Sequence, residues 1–292
     1  MAVIRRFDLD LPGGIRLACR GAGTGRPRVM LLHGFPEAAF VWDEVLQLLA
    51  PHAAAVAPNL RGFVGSSAPP ELSAYRAKLL VGDVAAAIEA LGAPLDLLVA
   101  HYWGGALAWN LAAQRPELMR RLLIINSPHP ATFLRELRHN PAQQAASAYM
   151  NFLCRPDAEA LLAEGDYRRL WPFFDGAAWL TEAVRAQYRE AWANEGRGLT
   201  GPLNYYRASP LRPPSGPDDP VHAVELPDAS VSSRVPTSVL WGERDAALLP
   251  ALLQGLERWV PQLGIERVPD ASHWIVHEQP KRVAQKILSL LN

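Results

Sequence analysis

The chain has little cysteine and no net charge. Only Cys19 and Cys154 occur among 292 residues, and their spacing suits neither a zinc site nor a paired redox motif. That sets aside a disulfide-stapled exported domain; each thiol reads as a lone structural residue, and a reducing cytoplasm is the expected compartment. Twenty-nine basic residues balance 29 acidic ones without a long block of like charge, which argues against nucleic acid or an anionic membrane surface as partner. Also missing is an apolar run long enough to cross a bilayer. The first residues meet Arg5, Arg6 and Asp8 before an apolar stretch develops, and the most apolar later stretch is broken by Glu89, Asp96 and His101. No export signal or membrane span is expected. What is there, 49% hydrophobic residues in a neutral chain, describes a soluble globular protein with ample core. Its expected partner is a small neutral or apolar organic substrate, and a homodimer is an assembly open to it.

Short apolar runs alternate with helical patterns: strand Val29–Leu32, helix Val41–Leu49, strand Ala54–Ala57, helix Leu79–Leu91, strand Leu95–Val99, helix Ala106–Gln114, strand Leu122–Ile125. The alternation resumes with strand Thr237–Trp241, helix Leu248–Val260, strand Ile265–Val268 and helix Val283–Leu291. Strand-helix alternation predicts an α/β fold with a mostly parallel sheet covered by helices. Ile4–Leu9 and Ile15–Cys19 flank Pro12-Gly13-Gly14 and read as a hairpin at a sheet edge. From about Ala131 to Ser233 the strand signal disappears, leaving Trp, Tyr, Leu and Ala on helical spacing and the proline-rich Ser209–Pro220. The expected division is therefore a core of residues 1–130 and 233–292 with a helical cap over 131–232. Gly21-Ala22-Gly23-Thr24-Gly25 has no helix after it and reads as a loop, not a phosphate cradle. His273 and His277 have the spacing of a metal pair, but no Glu follows His273, so no metal is expected; nor is a cofactor.

Between the strand at 95–99 and the helix at 106–114 lies Ala100-His101-Tyr102-Trp103-Gly104-Gly105. Small residues on both sides of a strand-to-helix turn let the two elements pack closely and thrust the middle side chain into the space above the sheet. His101 precedes that side chain and should point away from it. Further motifs follow in order: His33-Gly34-Phe35-Pro36-Glu37, Arg61-Gly62-Phe63, Asn126-Ser127-Pro128-His129-Pro130, Trp241-Gly242-Glu243-Arg244-Asp245 and Ser272-His273-Trp274. Together with the turn they resemble, along essentially the whole chain, bacterial epoxide hydrolases, cousins of haloalkane dehalogenases within the α/β-hydrolase fold. The order Tyr102, Asp245, His273 is that of nucleophile, acid and histidine in that fold.

The resemblance implies roles. Asp245 follows an apolar strand, where a carboxylate holds an imidazole in one tautomer, and His273 is the general base. The other position for an acid, after the preceding strand, is Asn126, which cannot supply a charge. Phe35 and Trp103 match the residues whose N–H groups form the oxyanion hole. Asn204-Tyr205-Tyr206-Arg207 resembles the motif whose Tyr206 binds the epoxide oxygen, and Tyr149, with Phe152 and Pro156 after it, resembles its partner. Two phenols would stabilise the alkoxide as the ring opens.

Three departures stand out. In the family the turn residue is aspartate, which forms an ester with the substrate that activated water then cleaves. Tyr102 cannot repeat that cycle: ionising an ordinary phenol near pH 7 costs roughly 4 kcal/mol, and an aryl ether has no carbonyl for water to attack. Asn59 stands where the family commonly has Asp, and Val64 where glycine is common, which leaves the local turn and its ion pairing open. Three functions follow. One is an epoxide-hydrolase-type hydrolase with Tyr102 inactivating or serving an altered mechanism. Another is a His273–Asp245 dyad acting alone, as in a hydrolase, esterase, lyase or cofactor-free oxygenase, with an acyl-transfer variant through a cleavable phenyl ester. The last is a non-catalytic ligand-binding protein that keeps the capped pocket.

Overall fold

The computed structural model describes residues 2–174 and 176–291. Eight strands form one sheet: β1 Arg5–Leu11, β2 Ile15–Ala22, β3 Val29–Leu32, β4 Ala55–Pro58, β5 Leu97–His101, β6 Leu122–Ile125, β7 Thr237–Gly242 and β8 Leu263–Val268. Their order is β1-β2-β4-β3-β5-β6-β7-β8. The expected hairpin is present at the edge, with Leu11 paired to Ile15 and Phe7 to Cys19. β2 meets β4 antiparallel, and every later pairing is parallel.

The central strands are short and apolar because both their faces are covered. In β5 and β6, Leu97, Val99, Leu123 and Ile125 face one layer while Leu98, Ala100, Leu122 and Ile124 face the other. The first layer holds α1 Asp43–Leu49 and the C-terminal helix; the second holds α2 Ala77–Ala90 and α3 Trp103–Gln114. The C-terminal helix, Pro280–Leu291, buries Val283, Ala284 and Ile287 and leaves Lys281 and Arg282 outward. Each Val, Leu or Ile side chain buried in this way is worth about 1.5–3 kcal/mol.

Between β6 and β7 the described residues form no strand. They form helices α4 Pro130–His139, α5 Pro141–Ala146, α6 Tyr149–Leu153, α7 Ala158–Tyr167, α8 Glu182–Ala193, α9 Thr200–Ala208 and α10 Asp228–Val231. This helical insert is fastened to the core by buried polar contacts. Trp192 Nε1 donates to the Pro36 carbonyl at 2.7 Å, Tyr205 Oη to the Arg61 carbonyl at 2.9 Å, and Gly201 lies directly against Gly62. The Arg61 guanidinium in turn holds Asp83 through two 2.6 Å bonds. Asn59 needs no charge: its Oδ1 accepts from the Ala39 N–H at 2.7 Å and its Nδ2 donates to the Val64 carbonyl at 2.8 Å.

Two expectations need correction. Residues 248–260 do not form a helix; they form two 3-10 turns, Pro250–Leu253 and Leu256–Arg258. Pro250 lacks an N–H and Gly255 has a left-handed φ of 77°, so an apolar helical spacing there is cut in the middle. The helix expected over 41–49 starts as a 3-10 turn, Ala39–Trp42, before α1. No described helix is long and apolar enough to cross a membrane.

Candidate functional site

The turn after β5 is sharp and strained. Tyr102 has φ 49° and ψ −112°, a conformation costing on the order of 1–3 kcal/mol for a residue with a Cβ. It persists because its surroundings are built around it. A Cβ on Gly104 would lie 2.6 Å from that of Leu32, and one on Gly105 2.3 Å from that of Ser127, so only glycine lets α3 sit this close to β3 and to the turn after β6. The Ser127 hydroxyl donates to the Tyr102 carbonyl at 2.7 Å, locking the turn.

His273 meets Asp245 across the sheet's end. The imidazole Nδ1–H donates to Asp245 Oδ2 at 2.6 Å, and the carboxylate is fully buried. Asp245 also accepts from Asn126 Nδ2 at 2.8 Å and from the N–H groups of Ala247 and Leu248 at 2.8 and 2.9 Å. Asn126 is thus a holder of the acid instead of a substitute for it. Burial alone would raise the Asp245 pKa and lower that of His273. The pair's mutual attraction and hydrogen bond outweigh it, so Asp245 titrates below the ordinary carboxylate value and His273 above the ordinary imidazole value. The other ring nitrogen, Nε2, makes no hydrogen bond among the described residues, and His273 lines a cavity of about 370 Å³.

Three phenols converge beside it. Tyr102 Oη lies 2.5 Å from Tyr149 Oη and 2.8 Å from Tyr206 Oη, and its ring stands edge-on to His273 at 4.9 Å. Tyr149 comes from α6 and Tyr206 from α9, so the insert brings both hydroxyls over residue 102. Burial first, then neighbouring phenols and Asp245, pushes the pKa of Tyr102 and Tyr149 well above the usual phenol value, and burial does the same to Tyr206. All three are protonated donors at neutral pH. Three hydroxyls joined by two links use two of their protons, which leaves one to donate to a ligand.

Phe35 is buried in the turn after β3. His33 fixes that turn: its Nδ1–H donates to the Gly34 carbonyl at 2.9 Å and its Nε2 accepts from the Leu60 N–H at 3.1 Å. Burial lowers the His33 pKa to about 4, which suits a neutral ring bridging donor and acceptor. Among the described residues, neither the Phe35 nor the Trp103 N–H makes a hydrogen bond, as expected for a free helix N-terminus at Trp103.

A second layer lies behind His273 that sequence reading did not find. His101 points away from the phenols, as expected, into a buried cluster with Glu37. Its Nδ1 lies 2.9 Å from Glu37 Oε2 and its Nε2 3.0 Å from the His273 carbonyl. Tyr188 of α8 and His277 lie 3.0 Å apart and both reach Glu37 at 3.5 Å. Despite burial, these imidazole partners hold the Glu37 carboxyl far below its usual range. The only signal in sequence was the Glu37 that closes the His33–Glu37 motif.

Residues 27–280 match the family model described as "alpha/beta hydrolase fold". An AB hydrolase superfamily protein, YfhM, of Bacillus subtilis (strain 168) is 35% identical over 284 residues, 95% of each chain. Epoxide hydrolase 3 of Xenopus tropicalis is 32% identical over 288 residues, 95% of this chain and 75% of its own length. The crystal structure of a Bacillus megaterium epoxide hydrolase in complex with an inhibitor superimposes with a TM-score of 0.88 at 28% identity, covering 98% of this chain and all of that one.

Proposed function

Since this chain belongs to the α/β-hydrolase family and resembles the epoxide hydrolases within it, we propose that it opens a small apolar epoxide with water beneath the helical insert. In this reading His273 is the general base, Asp245 orients it and stabilises its charged form, and the phenols of Tyr102, Tyr149 and Tyr206 supply the proton for the ring oxygen. Residues 131–232 act as a cap that dries the site. Tyr102 takes no covalent part. A water beside His273 Nε2 attacks a ring carbon and gives its proton to the imidazole; the carbon–oxygen bond breaks and the oxygen takes the spare phenol proton. The proton on His273 then returns to the phenols through solvent, and the diol leaves.

The observation that carries this reading is the pairing of a base held 2.6 Å from a buried carboxylate with a protonated phenol cluster whose Tyr102 ring packs against it with ring centroids 4.9 Å apart. Water addition to an epoxide requires a base for the water and a proton donor for the ring oxygen, and His273 and the phenols are groups of those two kinds. The free N–H groups of Phe35 and Trp103 favour a second reading, acyl transfer, because a phenyl ester on Tyr102 would keep a carbonyl for water to attack. A small neutral substrate agrees with the apolar lining, and two free thiols agree with a reducing compartment.

Single-turnover reaction with styrene oxide in ¹⁸O-water, followed by mass spectrometry of diol and protein, tests this. Direct addition puts the label into the diol in the first turnover and leaves the protein mass unchanged. A stable adduct without diol would mean phenol alkylation, and an adduct formed only from p-nitrophenyl acetate would favour acyl transfer. Binding with neither turnover nor adduct would leave a ligand-binding protein.

A further inference from the structure

The space under the insert is two chambers, and the wall between them is phenolic. The larger, about 370 Å³, holds His273, Phe35, Tyr206 and Trp274. The smaller, about 200 Å³, is lined by apolar side chains such as Leu80, Leu107, Phe133, Met150 and Leu248. Tyr102 and Tyr149 line both. Successive residues of α9 take opposite sides, Tyr205 the smaller chamber and Tyr206 the larger.

The wall is fixed in place. Tyr102 leaves a backbone held at positive φ, and its ring lies on the bare α-carbon of Gly34, where a Cβ would come within 2.5 Å of Tyr102 Cβ and 2.8 Å of Cδ1. His273 stands against one side of the ring, and the hydroxyl is tied to two residues of the insert. A reacting epoxide must place one carbon by His273 and its oxygen by the phenols, so a substituent on the second ring carbon would have to cross this wall.

We propose that Tyr102 is a specificity-determining partition: the chamber with His273 takes epoxides bearing one apolar arm and excludes those with apolar groups on both ring carbons. This rests on the reading of the site given above. A shorter side chain at 102 would join the chambers and admit the second arm.

Calorimetric binding of two diols, the products of such epoxides, decides it without requiring turnover. The probes are 1-phenyl-1,2-ethanediol, with one arm, and hydrobenzoin, with two. The wild type binds hydrobenzoin weaker than the one-armed diol by about tenfold or more, and Tyr102→Ala tightens hydrobenzoin relative to the one-armed diol by a similar factor. Equal binding of both diols by the wild type, or a folded Tyr102→Ala protein with no gain, overturns the partition. If Tyr102→Ala does not fold, Tyr102→Leu and the wild-type comparison carry the same two outcomes. Discrimination between the diols without any hydrolysis would overturn the proposed chemistry and leave the partition standing.

Discussion

Replacing Tyr102 with aspartate should convert a slow or silent site into an ester-forming one. An ordinary phenol needs roughly 4 kcal/mol to ionise at pH 7, equivalent to about a thousandfold, and burial of Tyr102 raises that cost further. A carboxylate is already ionised and gives an intermediate with a cleavable carbonyl. The substitution also vacates the space between the Tyr149 and Tyr206 hydroxyls, now filled by Tyr102 Oη at 2.5 and 2.8 Å, where a ring oxygen can accept both protons. Against this, the carboxylate is shorter, and misplacement by about 1 Å costs about a hundredfold. The net expectation is a gain of between about tenfold and about a thousandfold in kcat/KM for styrene oxide, a substrate small enough for the chamber beside His273. Loss of the ring costs about 2–4 kcal/mol of stability, partly offset because aspartate tolerates positive φ better than tyrosine, so a thermal melt must accompany the assay. Rapid acid quench and intact-protein mass should trap the ester. A folded Tyr102→Asp protein with neither turnover nor ester across alkyl and aryl epoxides would refute the reasoning.

The raised His273 pKa places the acid limb of kcat/KM above the ordinary imidazole value of about 6.5, because the base works only when neutral. Asp245→Asn leaves burial to dominate and moves that limb to lower pH while reducing the rate; an unmoved limb in a pH–rate profile would separate it from His273. The same pair contributes to stability: the Asp245 share is lost as pH falls through its depressed pKa, and the His273 share as pH rises through its raised one. His273→Ala should remove turnover and also cost stability, since it takes the partner from the buried Asp245 carboxylate, whereas His101→Ala strands the buried Glu37 carboxylate and costs about 3–5 kcal/mol in a denaturant titration with the His273–Asp245 pair still in place. If His101→Ala instead abolished activity at full stability and His273→Ala left it unchanged, the roles are reversed. Gly34→Ala drives a methyl into the Tyr102 ring and should break the contact between Tyr102 and Tyr149, seen as a changed tyrosine absorption near the phenol band; an unchanged spectrum would mean that the ring has room to move.

Elements whose residues face a single environment were legible in the sequence. β3 and β6 match their expected bounds because a strand covered on both faces is an unbroken apolar run. α3 begins at Trp103, earlier than its composition suggests, because Gly104 and Gly105 are poor helix formers kept helical by the close approach to β3 and to the turn after β6. The Leu248–Val260 pattern misled because apolar spacing does not register what Pro250 and Gly255 do to the backbone. In the site, motif order pointed to Asp245 and His273 beside residue 102, and the family resemblance pointed to Tyr149 and Tyr206, which the fold brings to the same place. The Glu37–His101–Tyr188–His277 cluster was invisible because its members come from four separate segments, and no local pattern marks a carboxylate that finds its partners only through the fold.

The position of the insert also governs how the sheet is assembled. β6 and β7 are neighbours, with Ile125 beside Leu240, yet the chain makes the whole helical insert before β7 exists. Until Thr237–Gly242 emerges and docks, β6 presents unpaired backbone along an apolar strand, the kind of edge on which other chains nucleate aggregates. A nascent chain that pauses anywhere in the insert is therefore most exposed to misassembly at a strand synthesised long before the pause, and helix formation in α4 to α9 ahead of β7 would shorten the effective loop that must close to protect it.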